Sequence, residues 1–272
     1  MLDGWRKYNN ALIPDLPPDI VPGIDGVYEL INRDRLYFAR WTTDFDCKKP
    51  TSFWFLIHSN PMEIEDYDTK TRNQIRKGIK ECSVRRITSA ELMNEGYHVY
   101  ASAFKRYKTY LKAKTKSEFL EEILSTPSNW EYWGVFYKHN LIGYAKVMVI
   151  NDYAEYRSIK FDPLFLRMCP SEALIYTLNR EYLNNRMFRY VNNGARSISH
   201  ETRFPLFLIK KFKFRRAYCR LHIIYNKSVG FLVKILFWFR GLLSFINFGP
   251  FVRINILLYQ EKLRRHYEEE NF

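Results

Sequence analysis

The side chains best able to do chemistry are gathered in one run, Tyr190-Val191-Asn192-Asn193-Gly194-Ala195-Arg196-Ser197-Ile198-Ser199-His200-Glu201. Tyr190 and Val191 read as the end of a strand, and Asn-Asn-Gly is the kind of triplet that stops one. Beyond it come a guanidinium, hydroxyls, an imidazole and a carboxylate. Ligands of open α/β sheets bind outside the carboxyl ends of strands, so this run reads as one wall of a pocket. His200 is the member whose ordinary titration lies nearest neutral pH.

The elements that must position it are legible on both sides. Residues 132–137, 141–150 and 153–161 alternate as strands, with turns at Lys138-His139-Asn140 and Asn151-Asp152, which predicts an antiparallel meander. Gly143, inside the second strand, marks a bulge or a close backbone approach. Asp162-Pro163 then leads to a helix over 171–185. Ser171 is its N-cap, Glu172 adds negative charge to its first turn, and Leu174, Ile175, Leu178 and Tyr182 form its apolar face. Arg167 lies in the loop before it. A helix N-terminus with a guanidinium nearby can hold a phosphate, and the same pattern begins any ordinary capped helix.

Upstream, residues 1–26 are broken by Pro14, Pro17, Pro18, Pro22 and Gly23, which predicts an extended arm. Residues 26–41 and 52–58 read as strands separated by a polar connection over 42–50. Asp44 and Asp46 there suit an Asx-type turn, a substrate role being the alternative. A helix over 71–81 turns Ile75 and Ile79 inward. Its row of Arg72, Arg76 and Lys80 reads as a solvated face unless an anion or a remote acid neutralises it. A strand over 83–87 follows, then a helix from 89 to about 107 with Leu92, Tyr97, Tyr100 and Phe104 as its stripe. A further helix over 117–124 buries Phe119, Leu120, Ile123 and Leu124.

At 272 residues, 47% hydrophobic and 17% aromatic, the chain buries a full core, and the composition excludes intrinsic disorder. The formal charge of +14 is concentrated: no Asp or Glu occurs between Thr202 and Gln260, while eleven Lys and Arg do. Such a field suits nucleic-acid phosphates or an anionic lipid surface. Cys47, Cys82, Cys169 and Cys219 stand singly, so neither a zinc site nor a redox pair is expected, and reduced thiols in the cytoplasm are. The N-terminus carries no secretory pattern. Residues 228–248 carry an aromatic and aliphatic side with Lys234 and Arg240 inside the span. That predicts an interfacial helix on the inner membrane face, with packing on a protein surface as the alternative. Residues 261–272 read as a polar, solvated tail.

Between about 71 and 225 the order of elements and their residues resembles the GNAT superfamily of acyltransferases, and within it the Fem-type branch. The resemblance rests on Arg72-Asn73-Gln74-Ile75-Arg76-Lys77-Gly78-Ile79-Lys80 and on Phe161-Asp162-Pro163 through Pro170-Ser171-Glu172-Ala173-Leu174-Ile175. It continues through Tyr190-Val191-Asn192-Asn193-Gly194 to Phe207-Leu208-Ile209-Lys210-Lys211-Phe212-Lys213-Phe214-Arg215. Lys213 stands where relatives usually carry Gly, and Arg167-Met168-Cys169-Pro170-Ser171 stands in place of the glycine-rich phosphate loop. Pro170 removes one N–H donor from that turn.

The resemblance implies an α+β fold: a GNAT-like central sheet, mixed and mostly antiparallel, flanked by helices. Here it carries a C-terminal hydrophobic, amphipathic helical appendage. The implied organisation is an N-terminal arm with strands over 1–70, an acyltransferase core over 71–226 and the appendage over 227–272. It also implies attack by an amine on a thioester or ester carbonyl. His200 and Glu201 are then candidate bases, and Tyr218 a candidate proton donor to the leaving group. Alternatively, His200 donates to a backbone carbonyl, and Glu201 caps a helix or pairs with Arg203. Asn193, Arg196, Ser197 and Ser199 would hold a polar acceptor such as an amino sugar, and Arg167, Ser171 and Glu172 an acyl-CoA donor. Three expectations follow: an N-acyltransferase acting on an amine in cell-surface glycan synthesis, a transferase using aminoacyl-tRNA, or a non-catalytic scaffold for a membrane or protein partner.

Overall fold

The computed structural model describes residues 2–107, 112–198, 203–246 and 250–269. In chain order its elements are β1 Trp5–Tyr8, β2 Ala11–Pro14, α1 Val27–Arg33, β3 Phe38–Cys47, β4 Phe53–His58, α2 Thr69–Glu81, β5 Ser83–Ile87, α3 Ser89–Phe104 and α4 Lys116–Leu124. There follow β6 Trp130–Tyr137, β7 Asn140–Ile150, β8 Tyr153–Phe161, α5 Pro170–Asn179, β9 Tyr190–Ala195, α6 Phe204–Phe212 and β10 Arg215–Tyr225, then α7 Lys227–Leu236, α8 Arg240–Leu243 and α9 Pro250–Glu269. The described residues fall into two compact units. A central unit takes residues within 56–194 and 203–215, and a terminal unit those within 1–55, 195–202 and 216–272. Both combine strands and helices, and antiparallel pairing predominates, as the sequence predicts.

In the central unit the strand order is β9-β8-β7-β6-β5. β5 to β8 form the expected antiparallel meander, and β9 joins β8 in parallel. Lys138 and Asn151 take left-handed conformations in the two tight turns. Gly143 is a close approach, since a Cβ there would lie 2.5 Å from the ring of Phe161. α3 and α4 each begin with a capping box, Thr88 with Glu91 and Thr115 with Glu118, which satisfies orphan N–H groups at both starts. Leu92, Val99, Tyr100, Phe119 and Ile123 pack with Tyr132, Leu141 and Tyr144 in the core.

Several apolar positions lie differently from their expected faces. Ile79 is half exposed, and the inward face of α2 is Thr71, Ile75 and Gly78. Leu124 is exposed at the last turn of α4, where the helix has already left the core. On α2, Arg76 pairs with Glu65 at 3.6 Å, so a remote acid partly neutralises the basic row. The helix predicted over 171–185 is α-helical only to Asn179 and continues as a π-turn over Arg180–Asn185. A polar chain accompanies that turn, buried at one end and half-buried at the other: Trp133 donates to Tyr182, Tyr182 donates to Glu131, and Arg186 pairs with Glu131 and Glu181.

In the terminal unit the strand order is β1-β2-β3-β10, followed by Phe53–Phe55 of β4. The predicted N-terminal arm is instead the hairpin β1–β2, with β2 parallel to β3. Trp5 and Leu12 provide the apolar contacts that an arm would lack. Residues 27–33, predicted as strand, are helix α1. Val27, Leu30 and Ile31 recur at helical spacing and close over Trp5, Leu12 and Trp41. The predicted polar connection over 42–50 is largely strand β3, paired antiparallel with β10. Asp44 and Asp46 enter it with φ of 54° and 60°, using the tolerance of Asp for left-handed backbone.

The C-terminal region also differs from expectation. The single helix predicted over 228–248 is α7, a 3₁₀ turn over Phe237–Phe239 and α8; its last two positions lie outside the described residues. The predicted polar tail is the second half of α9, in which Leu263 and Glu261 are buried. The Glu261 carboxylate accepts from Arg264, Arg265 and Tyr225, so its charge is compensated where it is buried. Burial alone would raise its pKa, yet these donors hold it below the ordinary glutamate range.

His58, at the end of β4, is 2% exposed and stacks on Phe214, with ring centroids 5.4 Å apart. Burial lowers its pKa to about 4, against a hydrogen bond to the Lys213 backbone that raises it. The unfolded chain therefore binds this proton at higher pH than the folded one. The stability tied to the neutral ring is complete above about pH 6.5 and is lost as pH falls towards 4, by roughly 3 kcal/mol in all. His58→Phe should remove that part of the pH dependence, measured as the difference between wild-type and variant urea-unfolding free energies across this window. Parallel curves for the two proteins would disprove the assignment.

Candidate functional site

Strands β8 and β9 pair at only three positions, Tyr153 with Tyr190, Ala154 with Val191 and Glu155 with Asn192. β8 then runs on to Phe161, still paired with β7 on its other edge. Past Glu155 no strand among the described residues pairs with the β9-facing edge of β8. The two neighbouring strands therefore part after Glu155 and Asn192.

A short polar network sits at the parting. Asn192 is fully buried; its Nδ2 donates to the Tyr153 hydroxyl at 2.9 Å and its Oδ1 accepts from the Gly194 N–H at 2.8 Å. The Tyr153 hydroxyl in turn donates to Glu155 Oε2 at 2.8 Å. Burial pushes the Tyr153 phenol well above its ordinary pKa, so it stays a neutral donor. The same carboxylate oxygen lies 3.3 Å from the Arg157 guanidinium. Glu155 Oε1 is the heavy atom nearest to where a Cβ at Gly194 would stand, at 3.9 Å, and Gly194 itself has φ of +87°. Gly194 thus allows the strand to turn and leaves room before the carboxylate. Asn193, predicted to bind substrate, is half-buried on β9 beside this network.

The start of α5 is arranged differently from a phosphate cradle. Arg167 is exposed on the 3₁₀ turn Pro163–Met168, and the N-cap is Cys169 in a left-handed conformation, with Pro170 at the first helical position. Ser171 donates to Glu172 Oε2 and so is not the cap. Glu172 is buried and pairs with Lys211, whose Nζ also donates to Gln74. Gly78 of α2 stands flush against the turn, where a Cβ would lie 2.4 Å from the Cys169 carbonyl oxygen. A carboxylate, a proline and a neighbouring helix occupy the place where backbone N–H groups would have to close on a pyrophosphate. Of the three residues predicted to hold acyl-CoA, Ser171 and Glu172 are engaged with each other and with Lys211, while Arg167 is exposed.

The terminal unit contains a hollow of about 350 Å³ lined by Trp54, Arg196, Arg216, Tyr218, Tyr259, Lys262 and His266, among others. Arg196 is fixed: it donates to the Ser52 carbonyl at 2.6 Å and to the Tyr259 hydroxyl at 2.7 Å. Arg216 stacks over the Trp54 ring at 5.1 Å. No carboxylate occurs among these lining residues. Two predicted residues, Arg196 and Tyr218, meet here, whereas Ser197 is half-buried in the same unit outside the lining. Ser199, His200 and Glu201 lie outside the described residues.

Reasoning from sequence missed Tyr153, Glu155 and Arg157, though their period-two spacing on one strand face was available. It also missed Lys262 and His266. With Tyr259 and Leu263 they make an i, i+3, i+4, i+7 face on α9, a signal hidden by reading the segment as a tail. Among the described residues no group of His, Cys, Asp and Glu could hold a metal ion, and no helix is long and apolar enough to cross a membrane.

No family model matches the chain, and no curated protein does. Among solved structures it is similar to FemX, with a TM-score of 0.60, 10% identity and 85% of each chain covered. It is also similar to the C-terminal domain assigned to a lysylphosphatidylglycerol synthetase of Agrobacterium fabrum, with a TM-score of 0.54, 13% identity and coverage of 85% of this chain and 82% of that one. At these identities the likeness is one of fold, and the fold is Fem-like.

The hollow should bind a compact polyanion. Inorganic pyrophosphate should be held more weakly as salt rises, and Arg216→Glu should raise its dissociation constant by about tenfold or more. Isothermal titration of wild type and variant at two salt concentrations measures both. An unchanged constant in the variant would remove the hollow as an anion site.

Proposed function

We propose that this chain is an acyl or aminoacyl transferase that moves the acyl group of an ester or thioester donor onto an amine. The observation that carries the reading is the early parting of β8 and β9, with Glu155 at the opening, in a fold shared with FemX. An amine attacks a carbonyl only when neutral, so a base must take its proton near neutral pH. Glu155 is held by Tyr153 and Arg157 on one oxygen and presents the other towards Gly194, which suits it to receive that proton. On this reading N–H groups on the β9-facing edge of β8 hold the carbonyl oxygen as it gains charge. The new C–N bond forms, the C–O or C–S bond of the donor breaks, and the proton leaves with the departing alcohol or thiol.

The crowded start of α5 supports an ester donor carried on tRNA over coenzyme A, because a bound pyrophosphate would meet the Glu172 carboxylate there. The basic hollow of the terminal unit supports a phosphate-bearing donor or acceptor. An amino sugar of cell-surface glycan synthesis supplies the amine. On this reading the Arg196 and Tyr218 side chains contact the anionic partner.

Two donor sets decide the matter: tRNA charged with radiolabelled amino acids, and labelled acyl-CoA esters, each offered with amino sugars and their phosphorylated forms. Label should pass to the amine from charged tRNA, and Glu155→Gln should lower kcat by roughly 10²-fold or more at unchanged fold stability. Transfer from acyl-CoA alone would overturn the preference for an ester donor. No transfer from either set would overturn the transferase reading, and full activity in Glu155→Gln would remove the carboxylate as base.

A further inference from the structure

We infer that the α7–α8 segment docks the protein on an anionic lipid bilayer. Along it Phe231 is 69% exposed, Trp238 81%, Leu242 72% and Phe245 83%, with Leu232, Ile235 and Phe239 also exposed. So many large apolar side chains on one short surface segment are rare in a soluble protein without a partner. Their exposure is built in. Val233 and Phe237 of the same segment are buried against Leu258 of α9, and Arg265 lies 4.0 Å over the Phe237 ring. Asn255 of α9 also donates to the carbonyls of Leu243 and Ile246. The inward face is anchored, and the outward face is held away from the core.

The charges around this face name its occupant. Lys227, Lys234, Arg240 and Arg253 are all exposed in the same stretch, and no Asp or Glu occurs anywhere from 203 to 260. A protein partner or a second copy could cover an apolar face without removing every carboxylate from this stretch of sequence. A surface of uniform negative charge favours that removal, because each acid near it is repelled while each cation is attracted. Trp and Phe suit the headgroup boundary, where an apolar ring enters and a polar edge stays wet. The 3₁₀ turn at Phe237–Phe239 divides the segment into two short pieces, which suits lying in the boundary rather than crossing it.

Flotation of the whole chain with vesicles tests this, using phosphatidylcholine alone and an equimolar mixture with phosphatidylglycerol. The wild type should float with the anionic vesicles and not with the neutral ones, and high salt should reduce the bound fraction. The variant Phe231→Ser/Trp238→Ser/Phe245→Ser and the variant Lys227→Glu/Lys234→Glu should each bind about tenfold less or weaker still. All five side chains point to solvent, so melting temperatures should stay close to wild type. Equal flotation of wild type and both variants would overturn the inference, as would wild type that floats with neither vesicle. A dimer in sedimentation that only the serine variant abolishes, without vesicle binding, would assign the face to a second copy instead.

Discussion

The site rests on one side chain, Asn192. Its amide bridges two strands at the last position where they pair, donating to the Tyr153 hydroxyl and accepting from the Gly194 N–H. The first bond orients the phenol so that its own proton goes to Glu155, and the second holds the backbone at Gly194, whose φ is positive near the end of the strand. A buried amide left with either half unpaired is costly, so both bonds form together or the local structure gives way. The place where the sheet opens and the direction in which the carboxylate faces are therefore set by the same residue. An apolar side chain at 192 could fill the volume without fixing either.

A second constraint acts at the start of α5. Gly78 lets α2 approach until backbone meets backbone at Cys169, and Pro170 begins the helix with no N–H to offer. Within the same turn Glu172 brings a negative charge that Lys211 answers. These features stabilise the helix start as a packing joint. A helix start packed this closely leaves less space and a less favourable potential for an anion.

Much of the central unit was legible in the sequence because its signals are local. The meander is written in the turn residues Lys138 and Asn151 and in strand-length apolar runs, and α3 and α4 in their apolar stripes. What could not be read was decided by tertiary neighbours. Residues 27–33 have enough β-branched and aromatic character to pass for a strand, and it is the cluster around Trp5 and Trp41 that selects the helix. Lys213 departs from the glycine expected after α6, yet it takes the left-handed conformation that glycine would. The backbone demand was readable there even though the residue answering it was not. For the site itself, Asn193, Arg196 and Tyr218 fell within or beside the structural features described, whereas Glu155 escaped notice as one acid within an apparently ordinary strand.

The C-terminal region shows why charge pattern alone misled. A run ending in Lys, Arg, His and Glu looks solvated, but Glu261 is 2% exposed and satisfied by Arg264, Arg265 and Tyr225 at once. Placing three donors around one carboxylate consumes the charges that would otherwise mark a tail, and it fixes α9 in rotation as well as in position. That rotation sets two consequences together. It turns Tyr259, Lys262 and His266 towards the basic hollow, and it turns Leu258 towards Val233 and Phe237. The aromatic face of α7 and α8 is thus displayed because the opposite face has found its partner. A helix that packs on one side and leaves Trp238 and Phe245 uncovered on the other is organised for contact, and the lack of acids from 203 to 260 in the sequence around it favours an anionic surface.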